Sequence, residues 1–208
     1  MAGRLGIDDV SPLVGCGRWP VKAVVGEHVP VAATVWRDGH DKVAATVVWR
    51  GPRDRVARQS RMVDTGVGLD RFTAVIAPDE PGAWTFRVDA WSDPWATVRH
   101  AVEVKIEAGQ DAGELANDLE LAARLLDRVA RRPDRRAARA VLFDAAATLR
   151  DDTRPLAARV APALSTEVLR VMREHPVREL ITKGQQQKMW VDRKRAAFGS
   201  WYEFFPRS

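Results

Sequence analysis

The hydrophobic period changes partway along this chain, and that change limits the folds open to it. Up to about residue 107, apolar residues recur at every second position. Val29, Val31, Ala33 and Val35 alternate with Pro30, Ala32, Thr34 and Trp36. Val43, Ala45, Val47 and Trp49 repeat the pattern, as do Phe72, Ala74 and Ile76, then Trp84, Phe86, Val88 and Ala90, and lastly Val102, Val104 and Ile106. A period of two buries one face of a strand and leaves the other wet. Turn residues separate these runs: Asp38-Gly39, Gly51-Pro52, Gly66-Val67-Gly68, Pro78 to Gly82, and Ser92-Asp93-Pro94. Short strands at this spacing predict an immunoglobulin-like or fibronectin-like β-sandwich over residues 1–108. The stretch from Arg50 to Arg61 is polar and weakly patterned, and reads as a long loop.

Residues 109–188 read instead as a small helical bundle. Asp111 and Glu114 are spaced as a capping box ahead of a stripe at Leu115, Leu119, Ala122, Leu126 and Val129. Pro133 suits the first turn of a second helix lined by Ala138, Val141, Leu142, Ala145 and Leu149. Thr153 and Pro155 restart a short piece carrying Leu156 and Val160. Ser165 is a good N-cap for a further helix bearing Val168, Leu169 and Met172, which stops at His175-Pro176. A last turn holds Val177, Leu180 and Ile181 and ends at Gly184.

Residues 189–208 change character again. Trp190-Val191 and Trp201-Tyr202-Glu203-Phe204-Phe205 are aromatic and extended, and adjacent Phe204 and Phe205 call for burial on both faces, as in a parallel barrel strand. A (β/α)8 barrel needs roughly 250 residues, so the sequence is expected to be cut just before one.

Composition excludes several alternatives. No run approaches the ~20 apolar residues of a membrane span, and the first residues lack the apolar core of a signal peptide, so a cytoplasmic protein without membrane contacts is expected. Cys16 is the only cysteine, which rules out an internal disulfide and a cysteine-based metal site. His28, His40, His100 and His175 are scattered, and no metal or cofactor is expected. The net charge of +5 comes mostly from arginines interspersed with Asp and Glu, which describes solvated helix faces better than a nucleic-acid surface.

Particular segments resemble a known family. They are Ile7-Asp8-Asp9-Val10-Ser11-Pro12; residues 16–27, beginning Cys16-Gly17-Arg18-Trp19-Pro20; Val35-Trp36-Arg37-Asp38-Gly39-His40-Asp41; residues 81–91, beginning Pro81-Gly82-Ala83-Trp84; Ala108-Gly109-Gln110; and the closing residues 201–208. Together they resemble the start of bacterial α-1,4-glucan:maltose-1-phosphate maltosyltransferases, which are α-amylase-like enzymes. The resemblance implies that residues 189–208 begin the catalytic barrel. It also implies a homodimer, and transfer of maltosyl from α-maltose 1-phosphate to an α-1,4-glucan with release of phosphate. Such retaining chemistry needs two carboxyl groups roughly 5 Å apart, which the family carries beyond the position of Ser208. No catalytic residue is therefore assigned here. Asp8-Asp9 and Asp151-Asp152 are adjacent carboxylates that point apart and suit turns or caps.

Candidate contacts remain. Aromatic faces stack on sugar rings. Trp49 and Trp84 are in phase with inward positions and read as core. Trp36, Trp91 and Trp95 are out of phase or beside turns, and Trp91 and Trp95 are taken as candidate glucan contacts. Within the basic run of Lys183, Lys188, Arg193, Lys194 and Arg195, Lys183 and Arg193 are candidates for a sugar phosphate, against the plainer role of solvating a linker. The leading expectation is thus a non-catalytic portion of a maltosyltransferase. A stand-alone carbohydrate-binding or scaffold module is the alternative. A basic nucleic-acid-binding protein, whose binding would fall steeply with salt, is a further one.

Overall fold

Alternating burial is the rule along the strands. In β3 (Val29–Trp36) Val29, Val31, Ala33 and Val35 are buried while Pro30 and Trp36 are exposed. The computed structural model that shows this describes residues 5–66, 68–133 and 138–198. β3 pairs antiparallel with β1 (Gly6–Ser11) on one side and β7 (Arg71–Ile76) on the other, with the two-residue β6 (Val63–Asp64) beyond β7. A second sheet runs in the order β2 (Val21–Val24), β10 (Gln187–Asp192), β8 (Gly82–Ser92), β4 (Val43–Arg50), β5 (Arg58–Arg61), and β9 (Glu179–Lys183) also pairs with β8. β10 is parallel to β2 and antiparallel to β8.

The two sheets share one core. Val31, Val35, Phe72 and Ile76 come from the first sheet, and Val47, Trp84, Phe86 and Met189 from the second. Each such side chain contributes roughly 1.5–3 kcal/mol by leaving water. Trp84 is the largest of them. Its indole lies against Gly51, where a Cβ would come within 2.9 Å of the ring, and its Nε1 donates to the Glu80 carbonyl at 3.0 Å. The Arg58 guanidinium sits 5.1 Å from the ring centroid and is held by Asp54 and Asp79. The loop that follows β4 is thereby tied down over the core. Sequence patterning assigned all of 50–61 to loop; its last four residues are β5, paired with β4 from Trp49↔Arg58 to Thr46↔Arg61.

These strands belong to one compact unit, made of the described residues up to Arg37, Val43–Trp91 and those from Leu180 onward. The other unit takes Asp38–Lys42 and Ser92–Glu179. Among the described residues it holds α1 (Pro94–Glu107), α2 (Ala116–Ala130), α3 (Arg139–Arg150), α4 (Leu156–Val160) and α5 (Thr166–Glu174). In sequence it is inserted between β8 and β9.

The expected strand at Val102–Ile106 is instead the end of α1. Asp93 caps that helix by accepting from the Ala96 N–H at 3.0 Å, and Pro94 occupies its first turn. Trp95, Val98 and Val102 are its buried stripe, while Val104 and Ile106 are exposed. The change from strand to helix thus falls at Asp93, not near 108. The expected α2 stripe is buried in full, and the capping box forms: the Asp111 N–H donates to Glu114 and the Glu114 N–H to Asp111, each at 2.9 Å. Ser165 caps α5 as expected. The apolar faces of α1, α2, α3 and α5 meet in a single cluster.

Two further expectations are corrected. Leu180 and Ile181 lie in β9, not in a helical turn. Residues 187–192 form an interior strand of the second sheet and do not open a separate tail, because Gln187, Met189 and Val191 all face the core. The expected barrel strand at 201–205 lies outside the described residues.

Candidate functional site

Trp91 and Trp95 are not available to a ligand. Trp91 has 0% and Trp95 6% of its surface exposed. The Trp91 Nε1 donates to Thr46 Oγ1 at 3.0 Å, and the Arg61 guanidinium covers the ring 4.8 Å from its centroid. Trp91 points away from the inward run of Trp84, Phe86 and Val88, but at this end of β8 both faces are buried. An out-of-phase position therefore does not mean an exposed one. Trp95 packs in the helical core with Val98 and Val102.

Lys183 and Arg193 are exposed, but the structure does not bring them together. Lys183 ends β9 beside the far part of β8, where the Gly184 N–H bonds to the Val88 carbonyl. Arg193 follows β10, which runs along β8 only from Phe86 to Gly82. Gly184 lies at Val88 and Val191 at Gly82, which puts the two cations towards opposite ends of a stretch of β8 roughly 20 Å long, so no single phosphate spans them.

Among the described residues the exposed tryptophans are Trp19, Trp36 and Trp190. Trp36 donates from Nε1 to Asp8 at 2.6 Å and lies over Gly6, where a Cβ would overlap the indole. Trp190 stands on the outer face of β10, because Met189 and Val191 face inward. In register it sits between Lys22 of β2 and Ala83 of β8. Its Nε1 donates to Asp192 Oδ1 at 2.9 Å, and Lys22 Nζ bonds the other carboxylate oxygen at 3.3 Å while lying 5.9 Å from the ring centroid. The indole N–H first, and Lys22 with it, holds the Asp192 carboxyl below the ordinary carboxylate range. Beside the ring opens a concavity of about 620 Å³, lined by Pro81, Gly82, Trp190, Asp192, Arg193 and Ala196. Of the sequence-derived candidates, only Arg193 belongs to it. Trp190 itself was missed, although the alternation of Met189 and Val191 marks it as outward.

On the helical unit, Glu120 joins Arg150 and Arg124, and Arg150 also reaches Asp127 at 3.0 Å. Hydrogen bonds from Arg150, then Arg124, pull the Glu120 carboxyl down to about 2. The Arg150 pairs tie α3 to α2, while the Glu120–Arg124 pair lies within α2. Of the adjacent carboxylates, Asp151 acts as a turn group and accepts from Thr153 and Arg154, whereas Asp8 lies in β1 and accepts from Trp36 of the neighbouring β3. Among the described residues there is no group of three or more His, Cys, Asp or Glu side chains placed to hold a metal, and no helix long and apolar enough to cross a membrane.

Two sheets around one core, a helical unit inserted between two strands, and charged side chains engaged in capping and ion pairs define a two-unit β/α module. The chain belongs to the family described as alpha-1,4-glucan:maltose-1-phosphate maltosyltransferase, domain N/S, whose model matches residues 3–193. A maltosyltransferase of that name from Corynebacterium pseudotuberculosis is 50% identical over the whole chain, which covers 31% of that relative. The one from Mycolicibacterium smegmatis is 47% identical, with the whole chain covering 33% of it, and maltosyltransferase 2 of Streptomyces coelicolor is 47% identical over 99% of the chain and 30% of its own length. The chain thus spans about a third of the curated relatives it matches.

Proposed function

We propose that this chain is the N-terminal, non-catalytic portion of a maltosyltransferase that moves maltosyl from α-maltose 1-phosphate to an α-1,4-glucan and releases phosphate. The match of residues 3–193 to the domain N/S model carries this reading. The two-sheet unit is an immunoglobulin-like sandwich corresponding to the first part of that description, and the inserted helical unit corresponds to the second. The carboxylate nucleophile and acid belong to the two thirds of such a protein that this chain does not span. The support the chain gives is mechanical: a rigid double sheet, with helices fastened by ion pairs, on which a homodimer and a barrel active site are held. The working protein is cytoplasmic and engages neither membrane nor nucleic acid.

The test is phosphate release. The 208-residue chain, incubated with α-maltose 1-phosphate and glycogen, is expected to release none, whereas a protein that adds the remaining two thirds of a relative releases it steadily. Phosphate release by the short chain alone would overturn the reading. Sedimentation equilibrium of the longer protein is expected to report twice its chain mass, and a monomer would remove the homodimer.

A further inference from the structure

We propose that the helical unit carries a binding site for a small zwitterion, the chemistry of a free α-amino acid, with Arg159 taking its carboxylate and Asp152 its ammonium group. This site is independent of maltosyl transfer.

The first observation is a buried cation without a counter-ion. Arg159, in the short α4, has 8% of its surface exposed. Its Nε and Nη2 donate to the Leu149 carbonyl in the last turn of α3, at 3.0 and 2.7 Å. That carbonyl belongs to the negative end of a helix dipole, equivalent to roughly half an elementary charge, so it offsets only part of the guanidinium charge. Among the described residues no carboxylate lies within ion-pair distance of Arg159. An arginine buried to this degree almost always has a carboxylate partner, and the fork of its remaining N–H groups suits one.

The second observation is a hollow. Arg159 lines a concavity of about 460 Å³, within the range that small ligands occupy. Ala112, Gly113 and Ala116, just before and at the start of α2, leave it room, and Leu149 adds apolar surface. All of its lining belongs to the helical unit.

The third is the charge left over around the hollow. Glu120 and Arg150 also line it, but they hold each other, with Arg124 and Asp127 completing the group. Asp152 is exposed, and among the described residues its carboxylate has no hydrogen-bond or ion-pair partner. One cation and one anion therefore face the same hollow without reaching each other. A plain anion at Arg159 is opposed by Asp152, and a plain cation at Asp152 by Arg159. A molecule with both charges satisfies both, and the short apolar wall takes a small aliphatic side chain.

The probe is L-valine, titrated into the isotope-labelled chain and followed in amide NMR spectra. Isovalerate, which lacks the ammonium group, and isobutylamine, which lacks the carboxylate, are the controls. L-Valine is expected to give saturable shifts at residues 112–116 and 149–159, in the millimolar range. Each control forgoes one charged contact and is expected to bind at least about tenfold more weakly. Arg159→Gln keeps a donor for the Leu149 carbonyl and is expected to weaken L-valine about tenfold. Asp152→Asn and Ala116→Phe change exposed positions and leave the fold intact. The first is expected to weaken L-valine about tenfold and isovalerate not at all, and the second to fill the hollow and abolish binding. The proposal is overturned if L-valine gives no saturable shifts there, if either control binds as tightly, or if Asp152→Asn or Ala116→Phe binds L-valine like the wild type. Should circular dichroism show Arg159→Gln unfolded, the two exposed variants decide.

Discussion

Replacing Trp91 distinguishes a core residue from a surface contact. The hydrogen bond from its Nε1 to Thr46 Oγ1 joins β8 to β4 at a place where both residues have 0% of their surface exposed. Trp91→Phe keeps an aromatic ring but removes the donor, so a buried hydroxyl loses its partner, a loss of about 1–3 kcal/mol. The smaller ring also leaves space that costs about 1 kcal/mol more. The expected total is about 2–4 kcal/mol. Thr46→Val removes the acceptor instead and is expected to cost about 1–3 kcal/mol. In the double variant neither partner is left stranded, so its loss is expected to fall short of the sum of the singles by about 1–2 kcal/mol. Urea unfolding followed by far-ultraviolet circular dichroism measures all three. Losses that add to within about 0.5 kcal/mol would refute the coupling. A Trp91→Phe variant within about 0.5 kcal/mol of wild type would refute burial itself, because that is how surface positions behave.

Other positions give sharper single tests. A Cβ at Gly184 would overlap the Val88 carbonyl oxygen, which accepts the Gly184 N–H at 2.9 Å; Gly184→Ala is expected to cost roughly 2 kcal/mol or more, and an unchanged thermal midpoint would contradict the contact. Asp93→Ala removes the buried cap of α1 and is expected to cost about 1–2 kcal/mol, with Asp93→Asn recovering most of it; equal melting of both variants would show that the cap does not matter. The Glu120 carboxyl, drawn from 4.5 to about 2 by Arg150 and Arg124, stabilises the folded state fully above about pH 4.5 and progressively less as pH falls toward 2. The stability difference between wild type and Glu120→Gln is therefore expected to shrink over that window, and a difference independent of pH would show that the ion pairs do not hold α2 to α3.

How legible the fold was depended on the range of the interactions that decide each element. The stripes of α2 and α3, the capping box at Asp111 and Glu114, and the cap at Ser165 are local, and local spacing found them. The strand read at Val102, Val104 and Ile106 failed because three apolar residues two apart also place the first and third on one helical face. The deciding signal lay upstream, where Asp93-Pro94 is a helix N-cap with proline in the first turn and not only a turn. Trp91 and Trp95 failed as candidate contacts for a related reason. Phase tells which side of an element a residue faces, but not whether that side is covered, and coverage of Trp91 comes from Arg61 on β5, a strand that the polar 50–61 stretch concealed.

β10 shows the limit most clearly. Its partners are β2, some 170 positions earlier, and β8, with the whole helical unit lying between β8 and β10 in sequence. No local spacing specifies such pairing. Its first inward residue is polar, so the alternation of Gln187, Met189 and Val191 does not read as an apolar run. Gln187 is tolerated at 5% exposure because its amide donates to the Gln185 carbonyl and its Oε1 fits against Gly17, where φ is +83° and a Cβ would come within 2.8 Å. A left-handed glycine and a buried glutamine far apart in sequence have each other as the reason for their identity. Once β10 is placed in the sheet, Met189 and Val191 must point inward and Trp190 outward. The exposed indole beside Ala83 is therefore a consequence of long-range pairing, and the sequence alone shows it only as one more tryptophan in an aromatic tail.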